Sequence, residues 1–154
     1  DEYREEQNRI IELQKSMISG DNAAICNTKW TVGDSEAKGR TVVNRYKKLM
    51  LRAFNGECDV LIAKVKWNNI NQMKERMQKL FDAINKLGEG FNVYLNNQYL
   101  DLKRKELRLE HEYQTKRQQE KEAMRAIQEE LREEEKAKRE FEQAQREAEK
   151  EEAT

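Results

Sequence analysis

From Asn97 to Thr154 the chain contains neither proline nor glycine and is dominated by Glu, Lys, Arg, Gln and Ala. With no helix breaker and many helix formers, this last third is predicted to be one long helix. Its i,i+4 pairs run acid first, as in Glu112–Lys116, Glu134–Lys138, Glu135–Arg139 and Glu142–Arg146. Each such pair supports a solvated helix by roughly 0.2–0.5 kcal/mol. A helix of this length spans on the order of 80 Å, so most of it is expected to project from whatever the rest forms. Such a segment spaces or transmits, and it offers no cleft for chemistry.

Setting it aside leaves about 95 residues, enough for one modest core. The chain opens on Asp-Glu-Tyr-Arg and closes inside a charged repeat, as expected of a piece of a longer protein. It holds no apolar run long enough to span a bilayer and no signal-peptide pattern. Net charge is zero, yet residues 38–86 carry 12 basic and 4 acidic side chains, a local +8. That stretch is read first as solvated helical faces, and otherwise as a surface for phosphate or an acidic partner. Cys26 and Cys58 lie far apart without a CxxC pattern, which fits reduced, buried thiols.

Apolar spacing divides the remainder. Tyr3 to Ser19 repeats at helical intervals and Gly20 is expected to end that helix. Ala24-Ile25-Cys26 and Trp30-Thr31-Val32 read as a small hairpin across Asn27-Thr28-Lys29, followed by a loop at Gly33-Asp34-Ser35. Thr41 to Asn55 reads as a helix with Val42, Tyr46, Leu49, Met50, Ala53 and Phe54 on one side, stopped by Gly56. A second helix carries Cys58, Leu61, Ile62 and Val65 and breaks at Trp67-Asn68-Asn69, with Asn69 an expected N-cap. A third runs from Ile70 to Gly88 with Met73, Met77, Leu80, Phe81, Ile84 and Leu87 inward. Phe91 to Leu95 alternates as a third strand. Tyr99, Leu102, Leu109 and Tyr113 then dock the long helix, while Met124, Ile127, Leu131 and Phe141 fit a solvated helix or a marginal coiled coil.

The expected fold is therefore mainly α (α+β): a small helical bundle, a minor two- or three-stranded β element and a long projecting charged helix. Its expected segments are residues 1–20 (the end of an upstream coiled coil), 21–96 (the compact domain) and 97–154 (the charged helix).

Catalytic constellations are not evident. His111, the single histidine, sits among charged residues without a ligand partner at metal spacing and reads as a surface residue. Acid clusters at Glu129-Glu130 and Glu133-Glu134-Glu135 lie on a helix with no cleft to shift their pKa values. No glycine-rich phosphate loop is present. No catalytic residue, cofactor or metal is expected in this chain. Trp30, Asp34, Trp67 and Asn68 are the candidate partner surface, with buried core anchors as the alternative for the two tryptophans. Arg45, Lys48, Arg52, Lys64 and Lys66 are the candidate DNA contacts, backbone-directed and salt-sensitive.

KLMLRAFNGECD at Lys48–Asp59, VKWNNI at Val65–Ile70 and INKLGEG at Ile84–Gly90 resemble a bacterial and phage family. CNTKWTVGDS at Cys26–Ser35 and YLDLKRKEL at Tyr99–Leu107 fit the same pattern, so the resemblance covers nearly the whole chain. Members carry an uncharacterised helical domain between a coiled coil and a GIY-YIG-superfamily nuclease domain, and some are membrane-anchored anti-phage defence nucleases. The resemblance implies that this chain is a non-catalytic part, since the nuclease's Tyr, Arg and Glu have no counterpart here. It implies a recognition or regulatory domain docking to a phage or host protein at the site of phage DNA entry. It also implies a cytoplasmic place at the inner face of the membrane, held there by parts outside this chain. A non-specific DNA-binding module and a homo-oligomerisation scaffold are the alternatives.

Overall fold

A computed structural model describes residues 2–153, which form four α-helices and a two-stranded antiparallel sheet. Helix α1 is Glu2–Ser19, α2 Glu36–Lys64, α3 Ile70–Gly88 and α4 Asn97–Ala153; strands are β1 Ala24–Cys26 and β2 Val93–Leu95. The chain divides into two units, residues 1–115 and 116–154. The chain is mainly α, with a long C-terminal helix.

In the first unit α2 and α3 pack as neighbours and the first turns of α4 close the core. Phe54 lies at its centre, edge-on to Phe81 at 6.0 Å and tilted on Tyr99 at 6.1 Å. Such ring pairs add to the energy of burying apolar area. The Tyr99 hydroxyl is satisfied by donating to Asn55 Oδ1 at 2.6 Å. Helix α1 runs antiparallel to the start of α4: Tyr3 meets Tyr113, Gln7 donates to Glu110 at 2.7 Å, and Gln14 donates to Glu106 at 2.9 Å. Ile10 on α1 is buried.

Several helix ends differ from expectation. The left-handed residue after α1 is Asp21 at φ 58°, not Gly20. Asn22 N–H reaches Met17 O at 2.8 Å and Asp21 N–H reaches Ile18 O at 3.1 Å, the paired bonds of a Schellman motif. An aspartate tolerates that conformation better than most side chains, and its carboxylate meets Lys47 Nζ at 3.2 Å. Helix α2 starts at Glu36, five residues earlier than expected, because Ser35 Oγ accepts Lys38 N–H at 3.2 Å as an N-cap. Asn69 stands at the N-cap position of α3 without a capping bond. Its side chain instead braces the end of α2, accepting Lys66 N–H at 2.6 Å and donating to Lys64 O at 3.1 Å.

Gly56 does not stop the helix; α2 continues through it to Lys64. Phe54, Cys58 and Leu61 keep burying one face on both sides of the glycine, and that packing outweighs a propensity cost of about 1 kcal/mol. A Cβ at Gly56 would meet nothing within 4 Å. Gly56→Ala should therefore stabilise the protein by about 1 kcal/mol, read as a rise of a few degrees in Tm. A fall in Tm would contradict this account of the position.

The expected hairpin is also corrected. β1 pairs with β2, in the register Ala24↔Leu95, Ile25↔Tyr94 and Cys26↔Val93. Trp30-Thr31-Val32 forms no strand, and Val32 closes only a local bridge with Ser35. Asn27-Thr28-Lys29 lacks the φ > 0 residues of a tight hairpin, and Asn27 N–H is taken by Asn92 O at 3.2 Å. Asn96 joins the sheet to α4: its side-chain oxygen accepts Gln98 N–H at 2.9 Å while its own N–H donates to Ala23 O at 2.8 Å.

The second unit, residues 116–154, is helical in its described part. From residue 119 onward every described side chain is exposed, Met124, Ile127, Leu131 and Phe141 among them. The acid-first pair Glu135–Arg139 closes at 2.8 Å. No described face of this segment is packed, as for a solvated helix.

Candidate protein-docking surface

Helix α2 carries two apolar stripes at spacings of three and four residues, and only one faces the core. Val43, Met50, Phe54, Cys58 and Leu61 are buried, whereas Val42, Leu49 and Val60 are 42%, 65% and 49% exposed. Val42 and Leu49 were expected inward. Periodicity cannot separate the stripes, because at about 100° per residue they are adjacent faces of one helix. Leu87, expected inward on α3, is 75% exposed. Val60 of the second stripe and the outer edge of α3 wall a groove of about 740 Å³ lined by Ala53, Val60, Leu80, Ala83 and Leu87 among others.

At its Leu87 end the groove meets an aromatic cluster. Phe91 lies between Tyr46, 4.9 Å away, and Trp30, 5.7 Å away. Tyr46 donates its hydroxyl to Leu87 O at 3.1 Å, and Trp30 Nε1–H donates to Phe91 O at 2.8 Å. Phe91 keeps 42% of its surface exposed and Trp30 36%. The Trp30 carbonyl lies so close to Gly39 that any Cβ there would collide with it, at 1.8 Å. That glycine therefore seats the loop on the first turn of α2.

The predicted partner residues do not converge. Trp30 and Asp34 lie just before the start of α2, and Trp67 and Asn68 just after its end. Twenty-nine helical residues separate the two pairs, about 43 Å. Trp30 joins the aromatic cluster; Trp67 is half exposed and its carbonyl meets His111 Nε2 at 3.1 Å. His111 is thus a half-buried brace rather than a free surface residue, and Thr115 Oγ1 sits 3.3 Å from the same nitrogen. Of the candidate DNA contacts, Arg45, Lys48 and Arg52 are exposed on α2, within about 10 Å along its axis. Lys64 belongs instead to the groove lining with Arg76 and Lys79. Lys66 is exposed in the α2–α3 turn. The second stripe with Leu80, Ala83 and Leu87 was not among the candidates. Its one sequence signal is that α2 has more apolar positions than one core face can use.

The groups capable of chemistry are held in the packing. Lys103, 5% exposed, places Nζ 3.5 Å from Glu106 and 4.0 Å from Asp59. A buried ammonium requires such counter-charges. Burial pushes the neighbouring Cys58 thiol up to about 12; Lys103 opposes this, and Asp59, Glu106 and Glu57 add to it. At neutral pH the sulfur is a protonated thiol and a poor nucleophile. Among the described residues no three His, Cys, Asp or Glu side chains are grouped to hold a metal ion.

The family model of the SNIPE associated domain matches residues 1–118. The chain belongs to this family. The SNIPE associated domain is associated with GIY-YIG nuclease proteins. No curated protein and no solved structure matches the chain. The matched span takes in the whole first unit, with its groove, aromatic cluster and sheet, and ends just inside the second.

Proposed function

We propose that this SNIPE associated domain is the non-catalytic recognition domain of a GIY-YIG-type nuclease protein. It docks to a phage or host protein at the site of phage DNA entry, on the cytoplasmic side of the membrane. The observation that carries this reading is the exposed surface running from Trp30 through Phe91 and Tyr46 to Leu87 and the α2–α3 groove. Large apolar and aromatic side chains left exposed side by side are characteristic of protein contact surfaces. None of the described helices is long and apolar enough to cross a membrane, so membrane attachment is assigned to other parts of the protein. The solvated helix of the second unit acts as a spacer toward the nuclease.

Deleting residues 21–96 from the intact nuclease protein should leave cleavage of naked DNA in place and abolish protection against phage. Protection that survived the deletion, with nuclease activity intact, would end this reading. A second reading, non-specific DNA binding, is favoured by the alignment of Arg45, Lys48 and Arg52 on α2. It requires duplex binding that is strongest at low ionic strength, and no detectable binding there would exclude it.

A further inference from the structure

We propose that the α2–α3 groove receives an acidic amphipathic helix of the partner protein. This rests on the reading of the first unit as a protein-docking domain and adds the form and charge of what it binds.

Shape comes first. The groove lies between two helices packed side by side, and its apolar lining runs from Ala53 to Leu61 on α2 and from Leu80 to Leu87 on α3. From Ala53 to Lys64 it offers about 16 Å of helix length, the span of about three helical turns. A third helix packs into such a trough by setting its ridges in the groove, in the manner of amphipathic helices bound by apolar grooves. A flat lipid surface would not fill a concave trough of this kind.

The second observation is the floor. Ala53 and Ala83 line it with small side chains, so the backbone of an incoming helix can approach α2 and α3 closely. The exposed Val60 and Leu87 supply the apolar anchors.

Charge selects the occupant. Lys64, Arg76 and Lys79 line the groove with one acid, Glu57; Lys79 is paired with Glu75 at 3.2 Å, and Lys64, Arg76 and the exposed Arg45, Lys48 and Arg52 of α2 leave the surface net positive. A Glu- and Asp-flanked helix is attracted there and a basic one repelled, which raises the association rate and rejects wrong partners.

The test uses the full chain and a synthetic 15-residue peptide with leucines at helical spacing and glutamates elsewhere, followed by fluorescence anisotropy. Saturable binding is expected, weakening as salt rises. Binding should fall at least tenfold for Leu87→Glu and for Arg76→Glu, with unchanged circular dichroism and Tm. The same peptide with lysines in place of the glutamates should not bind. Equal binding of both peptides, absence of binding by the acidic one, or acidic-peptide binding unaffected by either variant overturns the proposal. So does binding to vesicles of anionic phospholipid, or to duplex DNA, that Leu87→Glu abolishes while the acidic peptide stays unbound. In the intact nuclease protein, protection retained by Leu87→Glu but lost on deleting residues 21–96 would remove the groove and leave the docking reading standing.

Discussion

Gly88→Ala should destabilise the first unit by about 3 kcal/mol or more, toward the upper end of what overpacking costs. A Cβ at that position would stand 2.2 Å from the Val93 carbonyl oxygen, 2.8 Å from Met50 Cε and 3.0 Å from Met50 Sδ. The Met50 tip is flexible and can yield. The Val93 carbonyl cannot move alone, because Val93 is paired with Cys26 across the sheet and Leu95 N–H donates to Asn85 Oδ1 at 2.8 Å. Relieving the collision therefore means shifting β2 or the end of α3, and either opens the core around Val93 and Met50, both buried. Urea denaturation of Gly88→Ala beside Gly56→Ala makes the test. The first midpoint should drop sharply while the second rises. Equal midpoints for Gly88→Ala and the parent would show that the α3–β2 junction is not packed as described.

The second large effect is alkaline loss of stability between pH 9 and 12. Burial holds the Cys58 thiol protonated, moving it from 9.0 up to about 12. Above pH 9 the unfolded chain releases this proton while the folded chain keeps it. The unfolded state then binds fewer protons, so stability falls as pH rises. The contribution is present in full below pH 9 and is lost as pH climbs through about 12. Three units correspond to about 4 kcal/mol at completion. Tyr99 works in the same direction, raised by burial from 10.0 to about 12. The two together amount to a large fraction of a typical domain's stability, about 5–15 kcal/mol. Thermal melts from pH 8 to 11 should show a steep fall for the parent chain and a shallower one for Cys58→Ala. Identical slopes would mean that the sulfur is not shielded from water.

Elements whose signals are local were readable in the sequence. The span of α3 follows from Met73, Met77, Phe81 and Ile84, and the long helix from the absence of proline and glycine. What depends on distant parts was not readable. Pairing of β1 with β2 joins residues 67 to 71 apart in sequence, a register that strand propensity does not encode. Gly56 carries the local mark of a helix end, but the core decides through Phe54 and Cys58 on either side. Likewise, the apolar residues of α2 show that it buries something without showing which of two neighbouring stripes does so. The proposed docking surface is made of that surplus, together with Leu87 and a Phe91 that sequence alternation placed in a strand and the structure places in the 3-10 turn Glu89–Phe91. Lys103, a charge in the core, has no periodic signature, since its counter-ions Glu106 and Asp59 come from two helices.

The proposed docking role requires the first unit to touch a protein through its exposed aromatic and apolar surface. A photo-crosslinking phenylalanine derivative at position 91 of the intact nuclease protein, irradiated in phage-infected cells, tests it most directly, with the same group at the exposed Lys121 for comparison. One discrete adduct from position 91, degraded by protease, resistant to added nuclease and missing at position 121, is the expected result. An adduct that added nuclease removes, or the same products from both positions, would contradict the account.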